Sequence, residues 1–267
     1  PRTMTHMHRA PVARGFSLVE LMVAMALGLV VVLGGMIILT ESQVTSATVS
    51  DAARLQLKAD SVMRNIGFQA SQSGAVELVD SGPGQVVFSD DFTGFDPAAI
   101  GGNTFLHVHG VDGGANGTDV LRISYEDNGV ARDCLGQPTT NVLGSGASRV
   151  DNEFSVVGKA LMCRGASGTA AQPIADGVED LQVTYTVRSS PGGAPGAPVF
   201  RTSNADDVAA TDWRNVTAVT LCMRVVGGLS SLPAQADTLG CRDETVLADG
   251  KLRRVVRRTI ALRNIVP

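Results

Sequence analysis

Residues 15–39 read GFSLVELMVAMALGLVVVLGGMIIL, and from Phe16 to Leu39 the single charge is Glu20. At about 1.5 Å per residue a helix over this run measures roughly 36 Å, enough to cross a hydrocarbon layer of about 30 Å with some tilt. A carboxylate inside such a helix is costly, which marks Glu20 as a functional position. Ahead of the run, Arg2, Arg9 and Arg14 carry positive charge with no acid among them. A secretory signal peptide has the same basic-then-apolar order but is cut behind its apolar region, at small residues. Here the small residue, Gly15, stands in front of the apolar run, so the run stays in the mature chain. The basic leader predicts a cytoplasmic N-terminal side and a periplasmic remainder, hence a single-pass inner-membrane protein.

This order resembles the class III signal of type IV prepilins. The resemblance implies cleavage by a prepilin peptidase between Gly15 and Phe16, methylation of the new amine of Phe16, and use of Glu20, fifth in the mature chain, for filament assembly. It also implies a move from the inner membrane to a pilus on the cell surface.

The helical signal outlasts the membrane run. Apolar or small residues recur at Val44, Thr48, Ala52, Leu55, Ala59, Val62 and Ile66, in steps of four and three, the period of one helix face. Ser42, Gln43, Asp51, Arg54, Lys58, Asp60 and Arg64 fill the gaps. One helix from Ser17 to about Gly67 is expected, apolar all round at first and amphipathic later. Gly28, Gly34 and Gly35 each weaken it by about 1 kcal/mol relative to alanine. Ala24 and Gly28 form a small-xxx-small pair suited to close helix packing; a segment that unwinds locally in a filament, as in pilin helices, is the alternative. The interior proline of many major pilins is absent from this helix.

From Ala75 onward short alternating runs are broken by Gly, Pro, Asn and Asp, which reads as antiparallel sheet with long loops. Strands are expected at Val76–Val79, Gln85–Ser89, Phe105–Val108, Val120–Tyr125, Val130–Cys134, Phe154–Val157, Ala160–Cys163, Val178–Val187, Val216–Val226 and Leu252–Leu262. Asp127-Asn128-Gly129 predicts a hairpin between the fourth and fifth of these, and Gly158-Lys159 another. Residues 189–198, SSPGGAPGAP, read as a Pro/Gly loop, and Ala205–Trp213 as a short helix. The fold expected is α+β, a long N-terminal transmembrane and amphipathic helix packed on a β-rich antiparallel domain. Its divisions are leader 1–15, membrane segment 16–39, amphipathic helix 40–68 and globular domain 69–267.

Cys134, Cys163, Cys222 and Cys241 all lie beyond the apolar run, and none forms a C-x-x-C pair of the kind zinc sites use. An even count in a periplasmic domain predicts two disulfides. Three connectivities are open. Cys134–Cys163 with Cys222–Cys241 is favoured, because each bond closes a local segment containing a loop.

The internal pieces narrow the resemblance. Thr118-Asp119-Val120-Leu121, Asp133-Cys134-Leu135-Gly136, Leu161-Met162-Cys163, PIADGVEDLQVTY at 173–185, Trp213-Arg214-Asn215-Val216 and Thr259-Ile260-Ala261-Leu262-Arg263-Asn264 follow the signal in this order. Together they resemble the PilW family of minor type IV pilins, similar in role to the J-type minor pseudopilins of type II secretion. The resemblance implies a subunit that primes pilus assembly and sits at the tip, supporting twitching motility or adhesion; a J-type minor pseudopilin of type II secretion, or a pilus-tip binding module for DNA or a host surface, is the alternative. Its partners would be other minor pilins, the major pilin, the prepilin peptidase and a tip adhesin.

Signs of other chemistry are weak. His107 and His109 share a strand face and with Asp112 could start a metal site, but no third ligand is placed by spacing, so exposed histidines are expected. Asp90, Asp91 and Asp96 make an acidic loop without the EF-hand pattern. Ser167 in Gly165-Ala166-Ser167-Gly168 misses the nucleophile-elbow spacing. No P-loop or G-x-G-x-x-G occurs. No enzyme activity, metal or cofactor is expected. The chain holds 22 Lys and Arg against 26 Asp and Glu, an acidic balance that opposes bulk nucleic-acid binding. The exception is the C-terminal strand with Lys251, Arg253, Arg254, Arg257, Arg258 and Arg263. It reads as a charge-guarded edge, with docking to an acidic neighbouring pilin or DNA capture at a pilus tip as alternatives.

Overall fold

The computed structural model describes residues 15, 17–75, 107–113, 117–127, 130–139, 148–165, 170–189, 198–228 and 236–264. The chain divides into two units, Pro1–Val49 and Ser50–Pro267. In the first, the described residues are the start of a helix, α1, whose full range is Leu18–Gln72. The backbone N–H of Leu21 donates to the carbonyl of Ser17 (3.1 Å), which closes the first turn. From Leu18 to Val49 every side chain is exposed except the half-buried Thr48. The helix is long and apolar enough to cross a membrane. Thr40, Thr45 and Thr48 donate their hydroxyls to carbonyls three or four residues back, so these polar groups are satisfied within the helix itself.

In the second unit α1 buries Asp51, Leu55, Ala59, Val62, Met63, Ile66, Gln69 and Ala70. The expected stripe is present with one reversal: Ala52 is exposed and Asp51 is buried. The reason is a long-range contact: the Asp51 carboxylate accepts the N–H of Gly228 (3.1 Å) and would collide with any side chain at Gly227. The helix ends beyond the expected Gly67 because Gly67 is accommodated beside Ile260 and Arg258. The stop is Gly74, in the left-handed region (φ +72°), a conformation that favours glycine. Its N–H donates to Ser124 O (2.9 Å).

Two antiparallel sheets complete this unit. The first has the order β1 (Val108–Val111), β2 (Val120–Asp127), β3 (Ser148–Val157), β4 (Ala160–Arg164), β5 (Gln172–Asp176). The second contains β6 (Val178–Ser189), β7 (Val199–Ser203), β8 (Val216–Val226) and β11 (Arg253–Ala261), in the order β11-β8-β6-β7. A ribbon of β9 (Thr238–Leu239) and β10 (Thr245–Val246) lies between β8 and β11 in sequence. Gly177 (φ +71°) turns the chain from one sheet to the other, and its carbonyl accepts the N–H of Val226 at the end of β8 (2.8 Å). Leu121, Phe154, Leu161, Leu181, Tyr185, Leu221 and Met223 form one core with Leu55, Ala59 and Ile66 of the helix.

The Gly158-Lys159 hairpin is formed: Val157 faces Ala160 and both turn residues have positive φ, 58° and 65°, as a two-residue I′ turn requires. The other expected hairpin is not. Val130–Cys134 is not a strand, and β2 pairs instead with β3, Asp127 opposite Ser148. Residues 130–139 are held as a turn: the Asp133 carboxylate accepts the N–H groups of Leu135 (2.9 Å) and Gln137 (2.8 Å). Local side-chain acceptors outcompeted the ladder there. β5, β7 and the short ribbon were unforeseen. Pro173 disguised β5, which tolerates it as an edge strand. Ala205–Trp213 forms two 3-10 turns, Ala205–Asp207 and Ala210–Asn215. The strands expected at Val76–Val79 and Gln85–Ser89 lie outside the described residues, as does most of the Pro/Gly loop.

Candidate functional site

Gly15 and Ser17 precede α1 and Glu20 stands in its first turn, all exposed; Phe16 is outside the described residues. Ser17 and Glu20 have the Ser-x-x-Glu spacing of a capping box, in which a carboxylate at the third helical position serves the N-terminal N–H groups. Glu20 therefore sits at the helix end where a negative charge is favoured by the helix dipole.

The four cysteines form Cys134–Cys163 and Cys222–Cys241, with Cα–Cα distances of 6.2 and 5.6 Å. The first ties the turn at 130–139 to β4. The second ties β8 to the loop before β10. Arg257 of β11 holds that loop further, donating to Gly240 O (3.1 Å) and Cys241 O (3.2 Å) and pairing with Asp243 (3.2 Å).

The histidines are buried rather than exposed. His107 bonds Val216 O through Nε2 (3.2 Å), and His109 stacks on Trp213 at 4.6 Å between ring centres. Tyr185 meets the same indole edge-on at 4.8 Å. Burial lowers both histidine pKa values, His109 to about 4 with help from the positive charge of Arg122. Asp112 is consumed as a cap, accepting the N–H groups of Ala205 (3.0 Å) and Asp206 (2.9 Å). Asp119 accepts the N–H groups of Gly113 (3.0 Å) and Val183 (2.7 Å). Burial raises its pKa, partly offset by these two bonds. Among the described residues no three His, Cys, Asp or Glu gather as a metal site. The acidic loop of Asp90, Asp91 and Asp96, and Ser167, lie outside the described residues.

Residues 148–264 match the family model described as Type IV Pilus-assembly protein W, and residues 12–36 match the prokaryotic N-terminal methylation motif. Over residues 148–264 the chain is similar to the PilW family of pilus-assembly proteins. Among solved structures, the type IV-like pilin TTHA1219 from Thermus thermophilus is similar over 61% of this chain and 87% of its own, at 14% identity and a TM-score of 0.36. No curated protein matches. The methylation-motif match contains Gly15, Phe16 and Glu20. The PilW match runs from the start of β3 past the end of β11 and holds three of the cysteines and the basic strand. These are families of pilus structure and assembly, not of enzymes.

Two groups in the second unit had no sequence signal. Gln69, buried on α1, accepts Asn152 Nδ2 (3.1 Å) and the Tyr125 hydroxyl, and donates to Arg132 O (3.4 Å). Asn152 in turn accepts Cys134 N (2.7 Å). The helix is thereby bonded to the first disulfide's turn through polar atoms in the core. Arg149, fully buried, pairs with Asp151 (2.9 Å), which also accepts the Ser124 hydroxyl. A lone Gln or Arg in sequence gives no hint of such a role, because only the fold brings the partners together.

Proposed function

We propose that this chain is a minor subunit that primes the type IV pilus and stands at its tip. The observation that carries this reading is the pairing of a methylation motif, set across the start of an exposed apolar helix, with a PilW-type β-body. The leader is cut between Gly15 and Phe16. The helix waits in the inner membrane with the body in the periplasm, and the subunit then enters the filament beside other minor pilins and the major pilin. In an apolar filament core an unpaired amine or carboxylate is costly. The amine of Phe16 and the carboxylate of Glu20, on the same or adjacent subunits, therefore favour the one axial register in which both are paired. The pair acts on registration more than on net affinity.

The test is complementation of a strain lacking this chain. The wild-type chain should restore surface pili, counted by electron microscopy. Glu20→Ala should be cleaved normally yet fail to restore them. Full piliation with Glu20→Ala would overturn the registration role, and full piliation without the chain would overturn priming.

A further inference from the structure

The basic C-terminal strand divides into two sets of arginines with different fates. β11 pairs with β8, Arg253 opposite Val226, Arg254 opposite Val225, Val256 opposite Met223, Arg257 opposite Cys222 and Arg258 opposite Leu221. Residues opposite one another share a face. Val225, Met223 and Leu221 are buried in the core beneath α1, so Arg254, Val256 and Arg258 lie on the helix side of the sheet. Arg253 and Arg257 lie on the other side. That other side is neutralised within the chain: Arg253 pairs with Glu179 (2.7 Å) and Asp249, and Arg257 with Asp243.

The helix side is not neutralised. Arg254 and Arg258 are exposed, with no ion pair or hydrogen bond to a carboxylate among the described residues. They line a cleft of about 550 Å³ with Arg64, Asp60 and Met63 of α1 and with Val255 and Val256; Arg257, already paired with Asp243, also borders it. Asp60 is the one acid in it. Standing four residues before Arg64 on the helix, it offsets part of that charge at most. β11 also ends the second sheet among the described residues. Its far edge therefore offers a row of backbone N–H and C=O groups beside three arginines.

We infer that this edge and cleft take an extended acidic segment of a neighbouring pilin, added as a further strand beside β11. Strand addition supplies main-chain hydrogen bonds, and alternate side chains supply specificity. The register fixes the pattern. Residues facing Arg254 and Arg258 on the helix side are four apart, about 13 Å along a strand, and the one midway faces Val256. The fitting segment is acidic–x–apolar–x–acidic. The same arginines reject basic strands, so guarding the edge against wrong pairing and admitting an acidic partner are one property. Duplex DNA fits less well: the body is acidic overall, the strand carries no aromatic for stacking, and phosphates cannot complete a β-ladder. The inference takes from the proposed function only the identity of the partner as a pilin, and the binding test below does not depend on filament entry.

The experiment uses the full chain in uncharged detergent and a fluorescent nine-residue peptide with glutamate at its third and seventh positions and valine at the fifth, read by anisotropy. Binding should weaken as salt rises. It should fall at least tenfold in Arg254→Glu/Arg258→Glu, and equally with a peptide methylated on its ladder-forming amides. A lysine counterpart should not bind. Arg254→Gln/Arg258→Gln serves if the charge-reversed variant melts lower than wild type. No binding by the glutamate peptide, equal binding by the lysine peptide, indifference to the double variant or to amide methylation, or displacement by duplex DNA at equal concentration would each overturn the inference. If the peptide binds as expected but the chain never enters pili, it is the proposed function that fails.

Discussion

Ser17 and Glu20 can serve the helix and the filament at once, and substitution separates the two. Glutamine keeps a capping box but not a charge. Glu20→Gln should therefore leave α1 intact and processing normal, yet impair filament entry as severely as Glu20→Ala; normal entry of the Gln variant would reduce Glu20 to a cap. His109 gives a prediction of a different kind. Its folded pKa, about 4, lies below the unfolded value of about 6.5. The unfolded state therefore binds the extra proton, and stability present above pH 6.5 is lost as pH falls toward 4. The loss between pH 7 and 5 should be on the order of 1–2 kcal/mol, and His107, lowered in the same direction, adds to it. His109→Phe should flatten this part of the melting-temperature profile; an unchanged slope would contradict it. Gly110 packs where any side chain would strike the Tyr185 hydroxyl, itself buried without a partner. Gly110→Ala should cost about 1–3 kcal/mol by overpacking. Tyr185→Phe should be neutral or slightly stabilising in thermal melts.

At the level of elements, the helix was the most legible part of the sequence, because a period of 3.6 with no proline survives any tertiary context. β8 was legible as a long β-branched run, and the Gly158-Lys159 turn through its glycine, although Lys159 also takes a positive φ (65°). The misread elements have two causes. At 130–139, Asp133 holds a local turn by accepting the N–H groups of Leu135 and Gln137 where the Asn-Gly signal promised a strand; at Asp51, the backbone N–H of Gly228 draws a charged side chain inward. That second partner is far off in sequence. The buried Gln69 cluster was illegible on the same ground. It predicts that Gln69→Leu, which leaves Asn152 and Tyr125 short of a partner, costs about 1–3 kcal/mol, measured by denaturant unfolding. Each disulfide should contribute about 3 kcal/mol on the loop-entropy model, so reduction should lower the melting temperature markedly. Gly34 and Gly35 show the reverse pattern. A methyl at either would meet nothing within 4 Å, so alanine should stabilise the helix by about 1 kcal/mol each; any assembly defect in those variants must then arise between subunits.

On the scale of the whole molecule, function divides along the chain. The first unit carries the methylation motif and, on the apolar run from Phe16 to Leu39, the single charge of Glu20. The second carries two disulfides, polar latches between helix and sheet, and a strand whose arginines are quenched on one side and open on the other. As proposed, these parts make one processed subunit of a pilus. The intact mass of this chain, recovered from sheared, purified pili and read beside the membrane fraction, tests that proposal. The expected chain in the pilus fraction begins at a methylated Phe16 and carries both disulfides. A chain confined to the membrane fraction after shearing, or one in pili that still retains residues ahead of Phe16, would contradict it.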